Sequence, residues 1–326
     1  PNSRVCYYAC FYLEIAPKYA FPGRAFNLFI FHIYTLHLKP IMDIKLTELP
    51  LESWLQAAHR IALAAGNEIL AIYTKDFSVY EKSDASPLTE ADLAAHRVIV
   101  TGLRDLEPRL PILSEESAKI PYRERRRWET YWLVDPLDGT REFIKRNSEF
   151  TVNIALIHNG HPVLGVVHIP LQNRSYFATS GLGAHRWEGN NPDVNNATVP
   201  IHVRTRLEEP LRILDSRSHS SQLLDEYLAK ASNYIGKYEL LTIGSSLKFC
   251  LIAEGAADFY PRFGPTSEWD TAAAHAIILE AGGEVTNMKL DELIYNRKDS
   301  LINPFFFAFG HRHHDWSAFL PKHDLT

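Results

Sequence analysis

The stretch Trp132-Leu133-Val134-Asp135-Pro136-Leu137-Asp138-Gly139-Thr140 constrains this 326-residue chain more than any other. The apolar run Tyr131 to Val134 has the length and composition of a buried strand. The residue before a proline is pushed out of helical geometry, so Asp135-Pro136 predicts a break at the strand end. Asp138-Gly139 predicts a second turn, because glycine accepts positive φ. Two carboxylates three residues apart then share one tight loop, and both can reach a single point in space. Hard divalent cations want such oxygen ligands, and Mg²⁺ takes one or two carboxylates together with substrate phosphate. The same residues also read as an ordinary Asp-Pro turn followed by an ordinary Asp-Gly turn, and alone the stretch leaves both readings open.

Length allows one large domain or two medium ones. With 46% hydrophobic and 22% charged residues, the composition is that of a globular protein with a real core. A formal net charge of −5 argues against a general nucleic-acid binder, which needs a basic surface. Cys6, Cys10 and Cys250 are too few for a disulfide framework or a structural zinc site, which fits a reducing compartment. No run of 18 or more apolar residues occurs, so no bilayer-spanning helix is expected.

Residues 1–41 differ from the rest of the chain. They hold ten Phe and Tyr residues and only one acid, Glu14. The apolar segment Ala25 to Leu38 is broken by His32 and His37, is too short to span a membrane and lacks a signal-peptide cleavage site. Periodic structure begins only after Met42. The expectation is therefore an extension without fold or function over 1–41, with Met42 as the natural start. The opening on Pro1 agrees with that, and a peripheral membrane anchor is the alternative. One domain is expected over 42–310, divided into halves 42–205 and 206–310. The tail 311–326 carries His311, His313 and His314, read as a solvated end rather than a metal site.

From Leu51 to Ile72, apolar residues fall at three- and four-residue steps and predict an amphipathic helix. Tyr80 to Pro87 reads as a polar loop. A second helix starts at Thr89 and stops before Pro108. Leu110 to Leu113 predicts a short strand running into Ser114-Glu115-Glu116-Ser117. Arg123 to Arg127 reads as a solvated face or loop. Phe150 to Ile157 and Val163 to Ile169 flank Asn159-Gly160, a hairpin signal. Ser175 to Thr179 and Ala184 to Glu188 flank another glycine turn. The first half thus predicts two helices and an antiparallel meander. The second half alternates strand and helix: Leu211 to Asp215, Ser221 to Lys230, Glu239 to Ile243, Ser245 to Glu254, Ala257 to Tyr260, and Thr271 to Ala281 ended by Gly282-Gly283.

Several acids end strands or start helices: Glu115 and Glu116, Asp135 and Asp138, and Asp270 at a helix start. Each has a plain alternative. Asp270 fits an ordinary N-cap, and Thr89-x-x-Asp92 fits a capping box. Together, without Cys or His, they suit Mg²⁺ rather than zinc. Two such ions would activate a water and stabilise a leaving oxygen in an in-line displacement on phosphorus. A hydroxyl such as Thr140 could orient that water.

Trp132 to Thr140, Glu115-Glu116, and Trp269-Asp270 through Gly282-Gly283 resemble the inositol-monophosphatase-like superfamily of Mg²⁺-dependent, lithium-sensitive phosphatases. The resemblance runs from about Met42 to Phe309. It implies an α/β (α+β) layered αβαβα sandwich with an antiparallel meander half and an α/β half. It implies one metal held by Glu115, Asp135 and the Leu137 carbonyl, and a second held by Asp135, Asp138 and Asp270. Asp92 and Thr140 would position the attacking water, with Glu116 as a further catalytic acid, and Gly139-Thr140 would offer backbone N–H groups to phosphate.

Within that superfamily the bacterial 3′(2′),5′-bisphosphate nucleotidases are most similar. The residues that carry this are Pro87 to Asp92, Leu113 to Glu116, Asp138 to Arg146, Ser216 to His219, Gly244 to Cys250 and Tyr260 to Pro265. A bisphosphorylated nucleotide brings a phosphate that lies away from the metals. The resemblance assigns it to Lys248 and Arg262, with hydrogen bonds from His219 and Ser245. The implied reaction removes the 3′-phosphate of adenosine 3′,5′-bisphosphate, or of 3′-phosphoadenylyl sulfate, in sulfate assimilation. The implied location is cytoplasmic, with peripheral attachment to the inner membrane as the alternative. Inositol or sugar-phosphate hydrolysis is the competing activity, and a non-catalytic Mg²⁺ or nucleotide sensor is the competing class.

Overall fold

A computed structural model describes residues 45–81, 87–189, 198–206, 208–218, 222–310 and 315–320. The extension 1–41, His219 and the tail histidines His311, His313 and His314 lie outside the described residues. The chain from Leu46 onward forms one unit.

Helix α1, Leu51–Tyr73, carries Ala58, Ala62, Ala65 and Gly66 on its buried side. Small side chains there let the helix lie close on the sheet beneath. A short antiparallel pair follows, β1 (Val79–Glu81) and β2 (Pro87–Thr89), where the sequence suggested only a loop. Helix α2, Glu90–Arg104, starts at the expected Thr89 cap, and its capping box with Asp92 is present.

Next come β3 (Ile112–Ser114), a single 3₁₀ turn over Glu115–Ser117, the short helix α3 (Tyr122–Arg125) and β4 (Thr130–Asp138). Two expectations change here. Arg123 to Arg127 is not simply solvated. Arg125 is 2% exposed, and its guanidinium donates to Asn296 Oδ1 at 2.6 Å and to the Lys298 carbonyl at 3.1 Å. Nor does β4 end at Asp135. Proline has no N–H for the ladder but tolerates extended backbone, so the strand continues through Pro136. Its register against the next strand shifts between Asp135 and Asp138.

The expected meander then follows the short helix α4 (Thr140–Ile144) as β5 (Thr151–His158), β6 (His161–Ile169), β7 (Arg174–Thr179), β8 (Ala184–Glu188) and β9 (Thr198–Ile201). Asn159 and Gly160 both have positive φ, as a two-residue hairpin turn requires. Strands β3 to β9 form one seven-stranded sheet in sequence order, antiparallel except for β3 against β4.

The second half supplies β10 (Leu211–Ser216), α5 (Gln222–Ile235), β11 (Tyr238–Ile243), α6 (Leu247–Ala253), β12 (Phe259–Arg262) and α7 (Glu268–Glu280). Two strands missing from the sequence reading, β13 (Glu284–Asn287) and β14 (Phe306–Phe309), pair antiparallel and complete a sheet in the order β11-β10-β12-β14-β13. The regular strand–helix alternation therefore stops after α7.

One core unites both sheets with α6 and α7, and a second packs α5 on the outer face of the five-stranded sheet. The layers run helix, sheet, helix, sheet, helix, the expected αβαβα sandwich. Residues 271–278 of α7 are all buried, as suits a helix apolar on every side and enclosed between sheets. Gly165 on β6 allows the contact. A Cβ there would lie 2.0 Å from the Ala273 carbonyl oxygen.

Candidate active site

The site lies where the C-terminal end of β4, the turn after β3, the turn before α6 and the first turn of α7 converge. Asp135 and Asp138 flank the β4 irregularity, and Asp270 joins them from α7. Carboxylate oxygens of these three lie within 4.8 Å of one another. Burial comes first among the causes that push all three aspartates above the ordinary carboxylate range. For Asp135 the neighbouring charges of Glu115, Asp138 and Asp270 add to it. Glu115 also hydrogen-bonds Asp135, so it belongs to the cluster. Glu116 shares its 3₁₀ turn but does not line the cleft.

Asp270 is not the N-cap of its helix. Ser267 occupies that position, and Asp270 is the third helical residue, accepting the Ser267 N–H on Oδ2 at 2.8 Å. A capping carboxylate and a cluster member are here the same group. Asp92 repeats the pattern. Its Oδ2 accepts the Thr89 N–H at 2.7 Å and the Thr89 hydroxyl at 2.6 Å. Its Oδ1 accepts the Thr140 hydroxyl at 3.1 Å. That hydroxyl also lies 3.2 Å from the Leu137 carbonyl. Asp92 is fully buried behind Thr140, which lines the cleft. Gly139 links Asp138 to Thr140 with φ 89°, and a Cβ there would meet the Glu149 carbonyl at 3.0 Å.

The cleft encloses about 230 Å³. Its lining also includes Ser245, Lys248 and Arg262. Ser245 adopts a positive φ of 49°. Lys248 is 5% exposed. Its ammonium donates to the Ser245 carbonyl at 2.7 Å and the Ile243 carbonyl at 3.2 Å, above the Tyr260 ring. Burial lowers its pKa to about 8, against the opposing pull of Asp138. Arg262 donates to the Pro265 carbonyl at 3.0 Å.

Some contributors carried no signal of their own in the sequence. Glu149 accepts both Arg217 nitrogens at 2.7 Å and the Gly244 N–H at 2.6 Å, tying the turn before α6 to the meander half. Glu142 accepts the Ser218 hydroxyl. Ser246 and Asn153 contact Asp138 directly. Glu142, Ser218 and Ser246 stand inside the stretches that resemble the nucleotidases, but nothing in their local sequence assigns them a role.

An all-oxygen set of carboxylates, buried together, fits a hard divalent cation. This set, which could hold a metal, lies at the junction of two sheets in an αβαβα sandwich. The chain belongs to the inositol monophosphatase family, whose pattern matches residues 50–317. It is 47% identical over 249 residues to the 3′(2′),5′-bisphosphate nucleotidase CysQ of Escherichia coli K12, spanning 76% of this chain and 96% of that one. Against the protein of the same name from Haemophilus influenzae, identity is 37%, with 79% and 93% covered. The crystal structure of CysQ from Bacteroides thetaiotaomicron superposes with a TM-score of 0.71 at 43% identity, covering 81% of this chain and 99% of that one. Inositol monophosphatase from Anabaena gives 0.65 at 26% identity, with 84% and 98% covered. The resemblance and the fold class read from the sequence are borne out. Among the described residues, no helix is long and apolar enough to cross a membrane.

Proposed function

We propose that the protein is a Mg²⁺-dependent 3′(2′),5′-bisphosphate nucleotidase. It removes the 3′-phosphate of adenosine 3′,5′-bisphosphate to give AMP and inorganic phosphate, acts also on 3′-phosphoadenylyl sulfate, and so serves sulfate assimilation. The observation that carries this is the convergence of Asp135, Asp138 and Asp270 beside the Thr140–Asp92 pair. The nucleotidase relatives direct the choice of substrate.

Glu115, Asp135, the Leu137 carbonyl, Asp138 and Asp270 would hold the metal. When bound, Mg²⁺ supplies Lewis-acid polarisation of the phosphate and acidifies water. The protein's own contribution is positioning and charge, as is usual in phosphoryl transfer. Thr140 donates its proton to Asp92, which leaves its lone pairs to accept a hydrogen bond from water and aim it. Water adds to phosphorus as the ester bond to the 3′-oxygen breaks; one proton of that water is given up, the 3′-oxygen takes up one proton in its place, and the products are the free 3′-hydroxyl and hydrogen phosphate. Gly139 lets the backbone approach the phosphate. Lys248 and Arg262 supply positive charge in the cleft lining and are assigned to the second phosphate, with Ser245 and His219 as hydrogen-bonding partners. Glu116 is assigned a supporting catalytic role on the resemblance alone. A cytoplasmic setting, with peripheral contact at the inner membrane as its variant, rests on the same resemblance.

Phosphate release from adenosine 3′,5′-bisphosphate, 3′-phosphoadenylyl sulfate and inositol 1-phosphate, with Mg²⁺ and with chelator, tests the assignment. The bisphosphate is expected to turn over fastest, and only with metal. Faster release from inositol phosphate would move the protein to the other branch of its family.

A further inference from the structure

Ser246 is 1% exposed and faces the acidic cluster from the turn before α6. Its N–H donates to Asp138 Oδ2 at 2.6 Å. Its hydroxyl lies 2.7 Å from that same oxygen and 2.7 Å from the Asp270 carbonyl. Asn153 on β5 donates from Nδ2 to the Ser246 hydroxyl oxygen at 2.8 Å. The Asn153 amide is itself fixed, because its Oδ1 accepts the Thr151 hydroxyl at 3.0 Å. With a lone pair of the serine oxygen filled by Asn153, the serine proton must point at Asp138 or at the Asp270 backbone. These bonds fall on Oδ2 of Asp138, and none of them engages Oδ1.

We propose that Ser246, oriented by Asn153, is a positioning residue for the cation cluster. It pins Asp138 by one oxygen so that the other is presented to a divalent ion, and it ties β4 to the α7 turn that carries Asp270. The inference rests on the reading of the acids as a cation site. A free carboxylate rotates about χ2 and offers either edge, and three mutually repelling carboxylates would rotate apart. Donors aimed at Oδ2 oppose both motions, and partners of this kind set the affinity of oxygen and nitrogen ligands. Neither Ser246 nor Asn153 needs to touch the ion.

The test is calorimetric titration of MnCl₂ and MgCl₂ into the metal-stripped full chain, alongside its melting temperature. Ser246→Ala is expected to weaken binding by about 10- to 100-fold. Ser246→Thr keeps the hydroxyl and is expected to stay near wild type. Asn153→Ala leaves the serine free to turn and is expected to give a smaller loss. In turnover assays, Ser246→Ala is expected to raise the metal concentration needed for half-maximal rate more than it lowers the rate at saturating metal. Wild-type affinity in Ser246→Ala, or a lowered melting temperature with affinity unchanged, overturns the positioning role and leaves the cation site standing. Absence of binding by the wild-type chain overturns the cation site itself.

Discussion

Gly165→Ala is the substitution most informative about how the fold serves the site. Gly165 lies in the middle of β6, between Ala155 of β5 and Ala178 of β7. A Cβ built there sits 2.0 Å from the Ala273 oxygen, 2.8 Å from the Ala273 carbonyl carbon and 3.0 Å from the Ala276 Cβ. Two of these atoms are helix backbone, which cannot rotate aside. Carbon and oxygen in ordinary contact are more than about 3 Å apart, so sheet and helix must separate by roughly 1 Å or more. Overpacking of this kind costs about 1–3 kcal/mol, and a clash with backbone belongs at the upper end. Alanine returns about 0.4–1 kcal/mol through the unfolded chain, leaving a net loss of about 2 kcal/mol. At about 2–4 °C per kcal/mol for a large domain, thermal unfolding should move down by roughly 4–8 °C. Ala273 is one helical turn from Asp270, so the same displacement moves a proposed ligand. A misplacement of about 1 Å can cost about a hundredfold in rate. Gly181→Ala is the control: its φ is 82° but nothing lies within 4 Å of the added carbon, so it carries strain without overlap. A Gly165→Ala protein that melts within a degree of wild type and keeps its turnover would refute the account of α7 as wedged against β6.

Asp138→Asn should keep the circular-dichroism spectrum while turnover falls by orders of magnitude, since a ligand charge is lost; a near-normal rate would speak against the two-metal assignment. Lys248→Met should raise KM for adenosine 3′,5′-bisphosphate more than for a nucleoside 3′-monophosphate, and equal increases would remove its link to the second phosphate. The raised aspartates give a signed pH effect. A carboxyl whose folded pKa is raised contributes stability that is complete below the ordinary value near 3.8 and is lost as pH rises through its folded value. The metal-free fold thus carries more electrostatic penalty at neutral pH than in acid, and cation binding removes it. The gain in melting temperature from saturating MgCl₂ should therefore be larger at pH 7.5 than at pH 5; a gain that does not change with pH would contradict it.

The site's outline was legible because its acids sit at local punctuation. Asp135-Pro136 and Asp138-Gly139 announce a bend whatever lies elsewhere, and Thr89 to Asp92 announces a helix start. The capping roles of Asp92 and Asp270 are compatible with the site, because a carboxylate has two oxygens and each group uses one for its helix. What escaped was non-local. Asn153 reaches Ser246 across 93 residues, and Ser246 reaches Asp138 across 108. No short-range pattern marks either. Arg125 stands in a run of charges that resembles a surface, yet its guanidinium is satisfied by groups some 170 residues away. Strands β13 and β14 are four residues each, too short for alternation to declare them. Pro136 differs for another reason. Its rule forbids helix, not strand, and the chain took the extended alternative.

The placing of Lys248 shows how one cation can serve two states of the cleft. Burial drives its pKa down to about 8, while Asp138 pulls the other way. The two backbone carbonyls it contacts give it a fixed position without neutralising its charge. Its ionisation therefore depends on which anions stand nearby. Cations bound among the acids would weaken the pull of Asp138 and favour the neutral amine. A second phosphate against the same wall would restore the pull and favour the ammonium. With metal in place, the lysine would thus be more firmly charged with a doubly phosphorylated substrate bound than without one. A monophosphate bound at the metals would leave that wall without its anion, so selectivity for the bisphosphate would fall as pH rises through about 8 and the ammonium is lost. That trend is absent if Lys248 serves only to brace the turn it contacts.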